Sequence, residues 1–328
     1  MVSYLKILIV LLFIQSINTI EEDLVIQSKS LGAELTSIQY KGKEYLHDGK
    51  TVWDQQSPIL FPIVGKLRYD MTTIDGKNYS ISKHGFAMNM NFTEIGNHLY
   101  KLNSNEETLE HFPFDFELYV FYTTEKNKLY FNYTVINKTP NKTMLFGIGG
   151  HPGFKCDYYK EKSSIEFEDE ENNIKVIPVD LEASLMSNET IDGNTYLINK
   201  KIFNIKKDSF KDDAVVFTNI TSKSLILRDN GKKILKFNFE QFKYLGIWSA
   251  NKEAPYICLE PWYNTPDYID STIEFKEKKD IISLEPEEIF KVGFSVEFFD
   301  DSDNNTQGAR GLNFFSLLLF INLAFILL

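Results

Sequence analysis

The chain carries only two cysteines, Cys156 and Cys258, among its 328 residues, and no Cys-x-x-Cys pair. No two of its five histidines stand at His-x-x-x-His spacing, so sequence spacing gives a zinc framework no support. A Gly-x-Ser-x-Gly elbow is missing, which removes the ordinary esterase signature. A phosphate-cradling glycine loop ending in Lys-Ser/Thr is missing as well. No Lys/Arg block interrupts a net charge of −11, which argues against nucleic-acid binding because that needs a basic footprint. Between residues 21 and 300 there is no long helical period, no internal repeat and no low-complexity linker.

What is present is β-forming. The composition is ordinary for a globular chain, 43% hydrophobic and 25% charged, and it is rich in Phe (27) and Tyr (17), which favour strands. Leu24–Ile26 and Glu34–Ile38 are strand-like, with Gly32 between them. Turn signals recur at Lys41-Gly42-Lys43, Asp75-Gly76, Asp192-Gly193 and Asn230-Gly231. The last is flanked by 224–229 and 232–239, as expected for a two-residue hairpin. Leu118–Tyr122 and Leu129–Ile136 predict a second hairpin, with Thr123 to Lys128 as its loop. The expectation is one large antiparallel all-β domain over residues 21–300, a sandwich rather than a small barrel.

Both ends predict a secreted, anchored protein. Lys6, the apolar run Ile7–Ile14 and the polar stretch to residue 20 have the pattern of a signal peptide. Residues 301–311 form a polar spacer with small residues, and 312–328 are almost wholly apolar up to the last residue. That combination is a GPI-attachment signal, with Ser302, Asn304 and Asn305 as attachment candidates. A C-terminal membrane helix is the other reading, and it lacks cytoplasmic basic residues. Sequons begin at Asn78, Asn91, Asn132, Asn137, Asn141, Asn188, Asn219 and Asn304. In an oxidising compartment Cys156 and Cys258 can pair, where a ~100-residue loop gives ~4–5 kcal/mol; equally, both serve as small buried apolar residues.

Three stretches place polar groups in stiff, Gly/Pro-marked settings: Ser82–Ala87 around His84, Gly147–Phe154 around His151, and Ile257–Trp262 around Glu260. His151 sits among four glycines and a proline, a setting that suits proton transfer near neutral pH. Taken alone it reads at least as well as a capped turn. Glu260 is followed by Pro261 and Trp262, and burial against the indole would raise its pKa and make it a useful base. Trp262 also offers a face for stacking on a sugar ring. Each residue alone has an ordinary structural explanation; two histidines and a carboxylate together read as a proton-transfer set.

These stretches resemble the aldose 1-epimerase (galactose mutarotase) family, in its LacX-like branch. The resemblance is carried by Ser57–Gly65, Lys83–Ala87, Gly149–Phe154, Asp213–Phe217, Leu245–Ser249 and Cys258–Trp262, and runs from about Gly32 to Pro286. It implies a galactose mutarotase-like β-supersandwich that interconverts the anomers of free hexoses without a metal or organic cofactor. On motif matching, Glu260 is the base at the C1 hydroxyl, His151 the acid at the ring oxygen, and His84 a hydrogen-bond partner of the sugar. Asp213 is a candidate for the sugar hydroxyls. Where the family usually carries a substrate-binding arginine, this chain has Lys66, which keeps the charge without the bidentate fork. If residues 66–68 form a strand, Arg68 faces the same way as Lys66. The glycines around His151 are expected to let a sugar ring approach the backbone.

Overall fold

The computed structural model describes residues 23–160 and 162–305. The predicted signal peptide and apolar tail lie outside them. Two antiparallel sheets hold most of the strand residues. The larger has ten strands, in the order Leu197–Ile198, Ile202–Ile205, Ser163–Phe167, Ser224–Asp229, Lys232–Asn238, Ile289–Phe298, Lys128–Asn137, Phe116–Glu125, Leu99–Asn103 and Thr93–Gly96. The smaller has eight: Ile191–Asp192, Lys175–Ile177, Val215–Thr218, Tyr244–Trp248, Tyr256–Trp262, Gly149–Gly150 and Ile59–Leu60, with Gly153–Lys155 pairing beside Gly149–Gly150 on Tyr256–Trp262.

Side-chain alternation explains the layering. In Lys128–Asn137 the residues Leu129, Phe131, Tyr133 and Val135 are buried while their neighbours are not, as a half-covered strand requires. Rings from the two sheets meet in the core: Phe154 lies 6.2 Å from Phe237 and Phe167 lies 5.6 Å from Phe217. Tyr256–Trp262 is buried along its whole length, so both faces of the smaller sheet are covered. Ile257 and Leu259 enter the main core. Tyr256, Cys258 and Trp262 face the other way, into smaller clusters with Tyr244, Met186 and Tyr268 or with Trp53 and Trp248. That second face carries the site.

The hairpin expectations hold where the turn chemistry is strict. Asn230 and Gly231 have φ of 49° and 76°, and Asp75 and Gly76 have 50° and 74°, which is the positive-φ pair of a type I′ turn. The strands Phe116–Glu125 and Lys128–Asn137 run further than their sequence reading, leaving only Lys126 and Asn127 as the turn. The turn signal Asp192-Gly193 opens a short 3₁₀ helix, which Asp192 caps by accepting the Asn194 N–H.

The cysteine alternatives resolve in favour of free thiols. Both are buried and unpaired. Gly153 pairs with Cys258, whereas the Cys156 N–H bonds to Pro255. The two therefore sit about three residues apart along the ladder, roughly 10 Å, beyond disulfide reach. Among the sequons, Asn78, Asn91, Asn132, Asn141, Asn188 and Asn219 are exposed. Asn137 is an exception, fully buried with its amide donating to the carbonyls of Lys142 and Leu284.

Candidate active site

Strand register delivers the acid–base pair. On one edge of Tyr256–Trp262, Gly149 pairs with Trp262 and Gly153 pairs with Cys258. Continuing that register between the two pairs puts His151 opposite Glu260. The ladder is interrupted there at His151-Pro152, and the imidazole turns to the carboxylate, with Nε2 3.1 Å from Oε2. On the other edge Glu260 pairs with Gly246.

The glycines have a different purpose from the expected one. A Cβ on Gly149 would come within 3.0 Å of the Trp262 indole, and one on Gly246 within 2.9 Å. At Gly147 it would strike the Asn264 amide and at Gly150 the Phe294 ring. These positions let protein side chains, not a sugar, lie against the backbone.

His84 is held just as firmly. Its φ is +66°, an uncommon conformation for a residue with a Cβ. Its N–H donates to Gly65 O at 2.7 Å, and the Gly65 N–H donates back to His84 Nδ1 at 3.1 Å. Gly85 follows with φ +81°, its missing Cβ leaving room for Phe61 O at 2.0 Å. Because Nδ1 accepts, the neutral ring carries its proton on Nε2 as a donor. The His84 ring stands edge-on to His151 at 5.5 Å.

The three groups line a cavity of about 240 Å³, just under the range of drug-sized sites and suited to a single small polar ring. Lys66, Lys83, Asp213, Trp53, Trp248 and Trp262 line it too. The chain has three tryptophans in all, and every one faces this cavity.

Electrostatics follow from burial. Glu260 is 2% exposed and His151 7%. Desolvation pushes the Glu260 carboxyl well above the usual carboxylate range; Lys83 offsets this in part and Asp213 adds to it. Desolvation pulls His151 down to about 3, with Lys83 acting in the same direction. His84 is pulled well below its ordinary value by burial, then by His151 and Lys83. Burial thus favours the uncharged form of each member, and a proton held on Glu260 faces His151 across the 3.1 Å contact. His151 Nδ1 has no hydrogen-bond partner among the described residues.

The structure brings together Glu260, His151, His84, Lys66, Asp213 and Trp262. Arg68 is not with them. Residues 65–70 hold a bend at Gly65 and a turn at 68–69 with no strand between them, so the alternation argument does not apply. The Arg68 guanidinium donates to Ser271 O and covers the Tyr69 ring. Trp53 was invisible to motif reasoning. It reaches within 4.9 Å of His151 because Val52 adopts φ +77°, an outlier for a β-branched residue of the kind that gathers at functional sites. Lys83, beside His84 in its motif, was the more findable omission.

The family model described as Aldose 1-epimerase matches residues 16–297. The chain is 31% identical over 293 residues to the chromosomal protein LacX of Lactococcus lactis subsp. lactis, covering 84% of this chain and 96% of the relative. A galactose mutarotase related enzyme from Lactobacillus acidophilus superposes with a TM-score of 0.78 at 29% identity, covering 87% of this chain and 97% of that one. A galactose mutarotase-like protein from Lactobacillus casei gives 0.76 at 25% identity, covering 85% and 98%. The predicted sandwich is thereby the one these proteins share, and the chain belongs to the aldose 1-epimerase family, in its LacX-like branch.

Proposed function

We propose that this protein is an aldose 1-epimerase that interconverts the α and β anomers of free hexoses by acid–base ring opening. The observation that carries the proposal is the buried contact of 3.1 Å between His151 Nε2 and Glu260 Oε2 at the cavity wall. Mutarotation requires one proton to leave the C1 hydroxyl and another to reach the ring oxygen. A pair holding a single mobile proton meets both needs.

In this reading the resting proton lies on Glu260 and crosses to His151 as the C1 hydroxyl docks on the carboxylate. Glu260 then accepts the hydroxyl proton while His151 protonates the ring oxygen. The C1–O5 bond breaks, leaving an aldehyde at C1 and a hydroxyl at C5. Rotation about C1–C2 presents the other carbonyl face, and the reverse transfers close the ring and restore the pair. His84 Nε2–H stabilises charge at the ring oxygen. Lys66 and Asp213 bind sugar hydroxyls, and an indole such as Trp262 stacks on the apolar face of the ring. Polarimetry of fresh α-glucose or α-galactose with the purified full chain tests the proposal: accelerated decay of rotation supports it, and decay at the buffer rate refutes it.

One observation favours a second reading, a non-catalytic carbohydrate-binding protein. Lys66 stands where the family usually has arginine, and Arg68 is turned away to Ser271. Saturable sugar binding without turnover would select that reading.

Display at the cell surface through a cleaved leader and a lipid anchor is part of the proposal. Six exposed sequons support it. Release of the protein from intact cells by a phosphatidylinositol-specific phospholipase checks the anchor.

A further inference from the structure

Behind the acid–base pair lies a group that the reaction does not use. Cys258 and Glu260 are two residues apart on one strand, so both side chains fall on the same face. With His151 they bring an imidazole nitrogen, a thiol sulfur and a carboxylate oxygen within 4.8 Å of one another, all three residues buried. The thiol is fully buried, packed with Ala254, Tyr256, Trp53 and Trp248, and does not line the cavity.

One polar atom of the cluster is left unsatisfied. His151 Nδ1 is buried without a hydrogen-bond partner among the described residues, although such atoms in folded proteins nearly always have one, and Glu260 Oε2 meets His151 Nε2 at 3.1 Å. Cys258 and Glu260 sit on one strand and His151 on the interrupted segment beside it, and the cavity leaves an open side. Three N, S and O ligands with an open fourth position are the arrangement of accessible zinc sites. The sulfur selects borderline-soft ions over magnesium or calcium.

We propose that His151, Cys258 and Glu260 form a binding site for a thiophilic divalent cation, zinc in class, whose occupancy blocks the acid–base pair. Binding forms metal–nitrogen, metal–sulfur and metal–oxygen bonds and releases to solvent the thiol proton and the proton held by the pair. Zinc–ligand bonds of about 2.0–2.3 Å imply ligand separations of roughly 3.3–3.8 Å, so the side chains close in by about an ångström on binding. Because His151 and Glu260 would be ligands, occupancy takes both out of proton transfer. Sequence spacing could not reveal it, because His151 and Cys258 meet only through strand pairing. The metal site itself goes beyond the proposed reaction, whereas its inhibitory effect rests on that reading.

Titration of the purified full chain with cobalt(II) alone tests it. The expected result is one saturable cobalt per chain, with a thiolate-to-cobalt charge-transfer band that disappears in Cys258→Ser and in His151→Gln and is displaced by zinc. Zinc should also raise the Tm of the natural chain and not that of Cys258→Ser. In the mutarotation assay, Cys258→Ser should leave metal-free turnover unchanged while weakening zinc inhibition on the order of ten-fold or more. No charge-transfer band in the natural chain, or zinc inhibition identical in Cys258→Ser, would overturn the proposal. The cobalt spectrum needs no variant, so a poorly folded mutant does not blunt the test. A clear band without mutarotation would keep the metal site and sink the epimerase reading, and turnover without a band would do the reverse.

Discussion

Asp267 and Lys278 form an ion pair of 2.5 Å with both side chains almost wholly buried, at 5% and 6% exposure. Asp267 also joins the cavity walls. Its N–H donates to Lys66 O, its carbonyl accepts the Met186 N–H, and its carboxylate accepts the Arg68 N–H. Replacing it with asparagine leaves a buried ammonium without its counter-charge, a change that costs about 3–5 kcal/mol. Asp267→Asn should lower the urea midpoint accordingly and weaken sugar binding through displacement of Lys66. Equilibrium unfolding and a binding titration check the two effects separately.

Glu260→Gln removes the proton acceptor while nearly preserving shape. Mutarotation should fall about 10²–10⁴-fold, the usual worth of a general acid–base group. Stability at neutral pH should hold or rise, because the substitution removes a carboxyl whose ionisation burial opposes. Polarimetry and thermal unfolding on the same preparation give both numbers.

The pH dependence of stability has two opposing parts. His151 has a folded pKa of about 3 against an ordinary 6.5, so the unfolded chain binds more protons between those values. Stability is fully present above 6.5 and is lost as pH falls toward 3. His84 is shifted the same way. Glu260 is shifted upward, so the folded chain binds more protons above about 4.5, and stability declines as pH rises from there through the raised pKa. Urea midpoints measured from pH 4 to 9 should show His151→Gln flattening the acid limb and Glu260→Gln flattening the alkaline one.

Intrinsic fluorescence should report sugar binding directly, because Trp53, Trp248 and Trp262 all line the cavity. Saturating galactose should change the emission of the natural chain and of Glu260→Gln. Trp53→Phe should remove part of that change. A titration in which emission stays constant while sugar is shown by calorimetry to bind would place the ligand elsewhere.

The sandwich was legible because its strands follow local rules: period-two burial from Leu129 to Val135 and a positive-φ pair at Asn230-Gly231. His84, His151 and Glu260 were legible because each sits in a compact motif of stiff residues. Arg68 was misread because the two-residue alternation holds only in a strand, and Gly65, at φ +66°, turns the chain before it. Trp53 escaped notice because its position depends on a strained Val52 and on rings of His47, His151 and Trp248 that are distant in sequence. The glycines were assigned to the ligand because their true neighbours, Trp262, Asn264 and Phe294, come from other strands and loops. Asp192-Gly193 carries the same dipeptide signal as Asp75-Gly76, yet its flanks form a capped 3₁₀ turn.

The face-by-face alternation of Tyr256–Trp262 ties chemistry to architecture. Leu259 belongs to the core and Glu260 to the cavity, so shifting this strand by one residue would exchange hydrocarbon and carboxylate and ruin both. The reactive spacing is therefore inherited from backbone pairing, whereas Val179, Ser184 and Met186 reach the cavity from the 178–187 segment, where only short two-residue strands form. Under the proposed function, sequence drift in that segment would re-address the protein to another sugar while His151 and Glu260 stay where the sheet put them.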